Sequence, residues 1–440
     1  MSHPVRRLAR LAAALAVGVL ATTAEAATEI QWWHSMTGAL GDRVNSLADR
    51  FNQSQSDYKI VPVFKGTYPE SMAAAIAAYR AKNPPAIVQV FEVGTATMMY
   101  AKGAIKPVYK LMAEAGEKFD PKAYVPAVAG YYSTPQGQML SLPFNSSTPV
   151  FYINKDAFQK AGLDPNRPPT TWAAVAADAA RLKAAGEKCG FTFGWPSWTQ
   201  LETFNAWHNL PFATHQNGFG GLDARLEINQ PLDVRHITNL KEWMDKGYVS
   251  YAGRTNQGEA KFYSGECPMM MSSSAAYANI VRNAKFKFAV APLPYYPDIK
   301  GAPQNSIIGG ASLWVMTGRP AAEYKGIAKF FTFLSKPEIQ AEWHQNTGYL
   351  PITRGAYDLT RQQGFYDRNP GASISIEQMT QKAPTENSKG LRLGSFVLIR
   401  DTIEEEMEFA LTGKKSAQVA LDDAVKRGNE LLRQFERANR

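Results

Sequence analysis

Side chains that could carry out catalysis are present, but none of the spacings that build a familiar catalytic site occurs. The 440-residue chain has no Walker A loop, no GxGxxG and no HExxH sequence. The nearest approach to a serine-hydrolase elbow is the run 310–314 (GASLW), where Trp314 replaces the second glycine. The acidic run 404–406 is typical of a solvated helix face. The sequence therefore predicts a protein that is not an enzyme, and it nominates no catalytic residue.

Metal-binding side chains are few and scattered. The six histidines lie at positions 3, 34, 208, 215, 236 and 344, without the spacing of a metal-binding pair. The two cysteines, Cys189 and Cys267, are too few for a four-thiolate zinc site. We therefore expect neither a metal nor a cofactor.

Polar and aromatic residues instead gather where strands are expected to end. Residues 32–35 close the first predicted strand, and residues 144–149 form a polar turn before a later one. Trp195 and Trp198 lie in a glycine-rich segment, and Gly310 follows another glycine, so that backbone N–H groups there can approach a ligand closely. Ligands of open α/β folds bind beyond the carboxyl ends of strands. The distribution predicts a binding cleft.

The elements that must position these residues begin with alternating strands and helices. The first three predicted strands cover residues 28–34, 58–64 and 86–91. Pro62 places the second of them at a sheet edge or a bulge. Between the second and third strands, Met72, Ile76 and Tyr79 mark one face of a helix that opens near Pro69. This order is typical of a mostly parallel α/β sheet.

A second α/β block follows. Its predicted strands cover residues 149–154, 267–272 and 307–315, and its predicted helices cover 155–161 and 171–185. Residues 190–223 show only weak periodicity. Ser416 is the expected N-cap of a final helix. A chain of this length can bury two cores, so we expect two lobes.

The overall charge does not indicate a nucleic-acid partner. Lysine and arginine number 48 against 39 aspartates and glutamates, which gives a net charge of +9. The basic residues are interspersed with acidic ones and form no stripe. The excess favours anionic ligands only in a general way.

The N-terminus has the organisation of a secretory signal peptide. Three arginines precede an apolar run over residues 11–21, and Ala24-Glu25-Ala26 supplies the small-x-small cleavage pattern. We expect cleavage after Ala26, with residues 1–26 removed, and a location in the periplasm. The alternative is an uncleaved membrane anchor, which the short apolar run disfavours.

Export also bears on the two cysteines. An oxidising compartment allows a disulfide between Cys189 and Cys267, and two buried free thiols are the alternative. Their spacing cannot decide between them, since a disulfide depends on how closely the fold brings the two Cα atoms together.

Several longer runs carry a resemblance that spans essentially the whole exported chain. They are residues 33–36 (WHSM), 89–99 (QVFEVGTATMM), 143–149 (PFNSSTP), 307–315 (IIGGASLWV), 342–345 (EWHQ), 347–353 (TGYLPIT) and 389–394 (KGLRLG). In these runs the chain resembles the larger two-lobed solute-binding proteins of ABC importers, and among them the sn-glycerol-3-phosphate-binding family. The resemblance implies an α/β fold of the type II periplasmic-binding-protein class, with a cleft between lobes joined by several hinge crossings.

Carried over position by position, the resemblance implies a ligand-binding set. Its members are Tyr68, Glu92, Ser147, Ser273, Gly310, Tyr349 and Arg400. In this set Arg400 can offer a forked, charge-assisted pair of hydrogen bonds to a phosphate, while Glu92 would accept from glycerol hydroxyls. Without the resemblance, Arg400 would be read as a surface partner of Glu404 four residues later.

Four further residues form a second tier of the expected ligand site. They are Trp172, Trp195, Trp198 and Ser274. An aromatic face could stack on a larger headgroup such as choline. Ser274 is included because the sequence leaves open whether it or Ser273 faces the ligand.

The expected lobes are built from segments distant in sequence. The first lobe comprises residues 27–145 and 311–350, and the second comprises 146–309 and 351–440. The resemblance implies a monomeric receptor that captures sn-glycerol 3-phosphate, a glycerophosphodiester such as glycerophosphocholine, or both, by hinge closure, and delivers it to the permease of an ABC importer. The alternatives are a sugar receptor of the same fold and, from a different class, a secreted hydrolase of glycerophosphodiesters.

Overall fold

Two separate β-sheets organise the chain. The structure is a computed structural model that describes residues 26–440. The predicted signal peptide therefore lies outside the described residues, apart from Ala26. The strands are β1 (Thr28–His34), β2 (Tyr58–Phe64), β3 (Ile87–Phe91), β4 (Ile105–Lys106), β5 (Leu142–Ser147), β6 (Pro149–Asn154), β7 (Phe191–Phe193), β8 (Val249–Ser250), β9 (Met269–Ser273), β10 (Phe288–Ala291) and β11 (Gly309–Met316).

Helices cover both sheets. They are α1 (Gly38–Gln53), α2 (Tyr68–Arg80), α3 (Thr95–Met99), α4 (Val108–Ala115), α5 (Pro126–Tyr131), α6 (Lys155–Lys160), α7 (Trp172–Ala184), α8 (Thr203–Trp207), α9 (Thr214–Asn217), α10 (Pro231–Asp245), α11 (Glu259–Tyr263), α12 (Ala276–Asn283), α13 (Ala321–Leu334), α14 (Pro337–Thr347), α15 (Arg354–Gln362), α16 (Phe365–Arg368), α17 (Ile374–Thr380), α18 (Phe396–Leu411) and α19 (Ala417–Asn439). Of these, α9 contains two residues with left-handed backbone angles and amounts to a short turn. No helix within residues 26–440 combines the length and the apolar character needed to cross a membrane.

The first sheet is parallel on one side and antiparallel on the other. Its order is β2-β1-β3-β11-β4, with β5 also paired to β11. The pairs β1–β2 and β1–β3 are parallel, whereas β11 runs antiparallel to its neighbours. The outer position of β2 agrees with the prediction from Pro62. The carboxyl ends of β1 and β3 therefore point the same way, and Glu92 follows β3 directly.

The second sheet has the order β10-β6-β9-β7-β8. Here β6 is antiparallel to β9 and β10, and β7 is parallel to β8 and β9. A disulfide joins Cys189 to Cys267, with a Cα–Cα distance of 4.9 Å. These cysteines precede β7 and β9, so the disulfide ties together the starts of two neighbouring strands.

The chain passes between the sheets more than once. It enters the second sheet between β5 and β6, at Thr148, and returns between β10 and β11. Helix α17 holds both passages, because Gln378 Nε2 donates to Thr148 Oγ1 at 3.2 Å and Gln378 O accepts from Ser306 N at 2.8 Å. Helix α15 packs on α14, which contacts α1, whereas α18 and α19 pack on α10 beside β8. Helix α15, which follows the predicted lobe boundary at 350/351, therefore packs on the helices beside the first sheet.

The sequence predicted the limits of the strands well, but it predicted the buried face of α2 less well. Strands β1, β2 and β6 have the predicted limits, and Ser416 Oγ accepts from Val419 N as the expected N-cap of α19. Helix α2, however, buries Ser71, Met72 and Ala75. Ile76, which was predicted to be buried, is 38% exposed. The face of α2 that packs toward β3 carries Met72 and Ala75 instead.

Candidate functional site

A cleft is lined by residues from both sheets. Its empty volume is about 970 Å³ including the part open to solvent, which is within the size range of small-molecule sites. The lining includes every member of the predicted ligand-binding set: Tyr68, Glu92, Ser147, Ser273, Gly310, Tyr349 and Arg400. The fold thus brings together residues that lie more than 300 positions apart in the sequence.

Arg400 is held between two carboxylates in the wall of the cleft. Its Nη2 lies 2.6 Å from Glu92 Oε1 and 2.6 Å from Glu202 Oε2, and its Nε donates to Glu202 Oε1 at 2.8 Å. Its side chain is 8% exposed. No ion pair joins Arg400 to Glu404 among the described residues, so the alternative of a surface pair with Glu404 is wrong. The fork toward phosphate stays a prediction, and in this structure Nε and Nη2 already donate to carboxylates.

The cluster places one guanidinium between two carboxylates, so the charge of Arg400 compensates theirs only in part. Burial by itself would lower the pKa of Arg400, but the charges of Glu202 and Glu92 outweigh burial and raise that pKa above its ordinary value. Burial raises the pKa of Glu92, and the charge of Arg400 opposes this. Nη1 of Arg400 and Oε2 of Glu92 have no side-chain partner among residues 26–440. The cluster therefore offers a donor and an acceptor side by side.

Tyr68 is positioned by a chain of hydrogen bonds through the first sheet. Gln89 accepts from Ser35 N at 2.8 Å and donates to Asn145 Oδ1 at 2.9 Å, and Asn145 Nδ2 donates to Tyr68 Oη at 2.9 Å. The Tyr68 ring stacks on Phe91, with 5.2 Å between the ring centroids. Burial raises the pKa of Tyr68 well above its usual value, so the phenol stays protonated and can donate to a ligand.

Gly310 and Tyr349 complete the wall where β11 meets β5. Gly310 has φ +88°, and a Cβ there would lie 1.8 Å from Asn145 O, so only glycine fits. Gly309 pairs with Ser147 in the antiparallel register. The Tyr349 ring stacks on Trp343 at 5.8 Å between centroids, and burial raises the pKa of its phenol.

Ser273, the last residue of β9, and Ser274, which follows it, lie in different environments. Ser273 lines the cleft, and its Oγ accepts from Ala275 N at 3.1 Å. Ser274 does not line the cleft, and its Oγ is buried without a partner on the other side of the strand end. The structure therefore places Ser273, not Ser274, beside the ligand space, because successive side chains of an extended chain point to opposite faces.

The second-tier tryptophans also divide. Trp195 and Trp198 line the cleft, and Trp198 packs so closely on Gly309 that a Cβ there would lie 2.3 Å from its ring. Trp172 is fully buried against Trp243 and His236 in the core of the second lobe. The expectation that Trp172 reaches the ligand is wrong, because the first turn of α7 faces the lobe interior.

Two buried carboxyls at the site were not predicted from the sequence. Glu202 lies in a helical turn within the weakly periodic segment and is 1% exposed. Glu259 begins α11, lines the cleft and is 4% exposed. The only available signal for Glu202 was a charged residue within a segment rich in aromatic residues, and Glu259 had none.

A metal site does not arise from the cysteines. Cys189, Glu266 and Cys267 bring their ligand-type atoms within 4.8 Å of one another. Both sulfurs are bonded to each other in the disulfide, so neither is available as a thiolate ligand.

A ligand cleft between two α/β lobes, joined by short hinge passages, defines the class of two-lobed solute receptors. Residues 46–372 match the family described as bacterial extracellular solute-binding protein. The chain belongs to this family.

Curated relatives and solved structures agree with this assignment. The sn-glycerol-3-phosphate-binding periplasmic protein UgpB of Pectobacterium atrosepticum is 56% identical over 440 residues, covering 100% of this chain and 98% of that protein. UgpB of Escherichia coli O1:K1 is 57% identical over 431 residues, covering 98% of each. A crystal structure of UgpB from Mycobacterium tuberculosis in complex with glycerophosphocholine has a TM-score of 0.79 at 23% identity, covering 93% of this chain and 99% of that chain. The last likeness shows the two-lobed fold.

Proposed function

We propose that this protein is a periplasmic receptor that captures sn-glycerol 3-phosphate and glycerophosphodiesters such as glycerophosphocholine, and delivers them to the permease of an ABC importer. Relatives at 56–57% identity over nearly the full length carry the name of a glycerol-3-phosphate-binding protein. The related structure with glycerophosphocholine supports the diester as a second ligand.

The pairing of Glu92 with Arg400 is the observation that carries this proposal. The free Oε2 of Glu92 accepts a hydrogen bond, and the free Nη1 of Arg400 donates one. A glycerol hydroxyl needs both, because it donates one hydrogen bond and accepts others. Glu92 and Arg400 can therefore bind two adjacent hydroxyls through charge-assisted hydrogen bonds.

The phosphate then belongs with the neutral donors rather than with Arg400. Two carboxylates already surround Arg400, so a phosphate beside it would face their repulsion. The hydroxyls of Tyr68, Ser147, Ser273 and Tyr349 and the backbone N–H of Gly310 line the same cleft. We infer that these groups surround the phosphate and that Glu92 and Arg400 bind the glycerol end.

Closure of two lobes would enclose the ligand. We infer a first lobe built on the β1–β5 and β11 sheet and a second built on the β6–β10 sheet, with the third hinge passage beyond α15. Across the cleft, Arg282 of α12 forms an ion pair with Asp42 of α1, and a Cβ at Gly38 would lie 3.1 Å from Asn279 Oδ1. These contacts favour a closed state that a ligand could stabilise.

The remaining expectations are part of the same proposal. The exported protein would begin at residue 27 and act as a monomer in the periplasm. It would carry out no chemistry on its ligand, since binding and release suffice for a transport receptor.

The test is isothermal titration calorimetry of the exported protein with glycerol 3-phosphate, glycerophosphocholine and maltose in one buffer. We expect one-to-one binding of both phosphate esters and no heat from maltose. Binding of maltose alone would identify a sugar receptor and overturn the proposal. Turnover of glycerophosphocholine, followed by release of glycerol 3-phosphate, would instead identify a hydrolase.

A further inference from the structure

Glu259 is a buried carboxyl of the cleft that has no basic partner. Its Oε1 accepts from Ser272 Oγ at 2.8 Å. Its other oxygen has no side-chain partner within residues 26–440, and it is not among the buried atoms sealed from solvent. The residue is 4% exposed and lines the cleft, so its carboxyl forms part of the cleft wall.

The elements packed against α11 supply no neutralising charge. Strands β7 and β9 carry no ionisable side chain, and α12 carries Tyr277 and Arg282. The cations nearby in sequence or on these elements are each engaged elsewhere, in the pairs Arg254–Glu408, Lys261–Glu266 and Arg282–Asp42. The phenols of Tyr152 and Tyr349, whose pKa values the charge of Glu259 raises, stay neutral.

The charge of Glu259 therefore depends on pH. Burial raises its pKa to about 7, and only the hydrogen bond from Ser272 opposes burial. Glu259 is not an ion-pair partner of Arg400, whose partners are Glu92 and Glu202. The carboxyl is largely ionised at pH 8 and largely neutral at pH 5.5.

Glu259 lines the same cleft as Ser273, one of the inferred phosphate-binding groups. Ser272 holds Glu259, and the next residue, Ser273, lines the cleft. The segment before Glu259 also supports Trp195, whose N donates to Thr255 O at 2.5 Å. A carboxylate next to an aromatic wall is the chemistry that binds an organic cation.

We propose that Glu259 receives the cationic headgroup of a glycerophosphodiester and thereby sets the preference of the cleft between diesters and monoesters. This inference rests on the proposed function, because it takes the glycerol end to lie at Glu92 and Arg400. Ionised Glu259 attracts a choline or ethanolamine headgroup and repels the dianion of a phosphomonoester.

The experiment is calorimetry on the wild type and Glu259→Gln, with glycerophosphocholine and glycerol 3-phosphate at pH 5.5 and pH 8. Gln keeps an acceptor for Ser272 and removes the charge. At pH 8 the variant should bind glycerophosphocholine about tenfold more weakly and glycerol 3-phosphate about tenfold more tightly than the wild type. At pH 5.5 the two proteins should agree within about twofold.

A matched control is Asp233→Asn. Asp233 is likewise a buried carboxyl whose pKa burial raises, but it caps α10 and does not line the cleft. This variant should leave the ratio of the two affinities unchanged at both pH values.

An unchanged affinity of Glu259→Gln for glycerophosphocholine at pH 8 would overturn the inference, whatever the monoester does. Failure of the wild type to bind either ester would instead overturn the proposed function. If Glu259→Gln does not fold, the wild type can be titrated with glycerophosphocholine and glycerophosphoglycerol, whose headgroup is neutral. The preference for the choline ester should rise as pH increases through about 7; a constant preference would contradict the inference.

Discussion

Glu92 and Glu259 are both carboxyls that folding buries in the wall of one cleft, 6% and 4% exposed, yet their surroundings differ. Glu92 shares Arg400 with Glu202, whereas Glu259 has only the hydroxyl of Ser272. The charge of Arg400 opposes the rise in pKa that burial gives Glu92, whereas only the hydrogen bond from Ser272 opposes it for Glu259. The comparison distinguishes a carboxyl that a buried cation supports from one that has no cation beside it within residues 26–440.

The largest expected effect comes from removing the cation of the paired end. Arg400→Gln leaves Glu92 and Glu202 buried together without compensation, so the free energy of unfolding should fall by about 4 kcal/mol. Urea unfolding of the ligand-free protein measures this loss, and ligand binding should become undetectable by calorimetry.

The matched control for that loss is Arg254→Gln. Arg254 forms an ion pair with Glu408 at 2.9 Å, but its side chain is 36% exposed. Solvent screening should hold its loss below about 1 kcal/mol. Equal losses of unfolding free energy for Arg400→Gln and Arg254→Gln would show that Arg400 contributes no more than a surface ion pair. The contrast drawn between Glu92 and Glu259 would then have no basis.

Gly310→Ala tests the tight packing of β11 against β5 in the cleft wall. The left-handed φ of +88° and the overlap of a Cβ with Asn145 O should together cost about 3 kcal/mol of stability. Gly103→Ala is the control, since Gly103 has φ +75° but no atom within 4 Å of the added Cβ, so only the backbone strain of about 1 kcal/mol applies. If the two alanine variants unfold at the same urea concentration, the tight fit of Gly310 is refuted.

Glu259→Gln tests, through protein stability alone, whether Glu259 lacks a compensating charge. Because the folded pKa of Glu259, about 7, exceeds the unfolded value of 4.5, the wild type loses stability as pH rises from 4.5 toward 7. The variant lacks this loss and should exceed the wild type by up to about 3 kcal/mol at pH 8, while matching it near pH 4.5.

The quantity to measure is the difference in free energy of unfolding between the wild type and Glu259→Gln at each pH. Burial also raises the pKa of Glu404 to about 7, so the wild-type profile alone mixes both carboxyls. A difference that stays constant between pH 4.5 and 8 would mean that Glu259 does not titrate in this range.

Glu92→Gln has the smallest expected effect in free energy, but it should change the affinities for both ligands in the same direction. Losing the charged acceptor for the glycerol hydroxyls should weaken binding of both glycerol 3-phosphate and glycerophosphocholine by about thirtyfold at pH 8. Glu259→Gln should shift the two ligands in opposite directions. Calorimetry that found opposite shifts for Glu92→Gln would reverse the two roles.

The sequence was a good guide to elements and a partial guide to the site. Strands such as β6 have unbroken apolar runs, so their limits could be predicted, and the long motif runs pointed to residues that now line the cleft. Glu202 and Glu259 were missed because their roles depend on which side chains surround them after folding. Trp172 was misplaced because a residue in the first turn of a helix can face a core or a cleft, and only tertiary packing decides.

The account places the glycerol end of the ligand at Glu92 and Arg400 and its headgroup at Glu259. The most direct test is a crystal structure of the protein with glycerophosphocholine bound at pH 8. We predict glycerol hydroxyls within hydrogen-bonding distance of Glu92 and of Arg400 Nη1, and the choline nitrogen next to Glu259 and Trp195. A ligand bound with the choline group against Arg400, or with the glycerol hydroxyls at Glu259, would contradict the account.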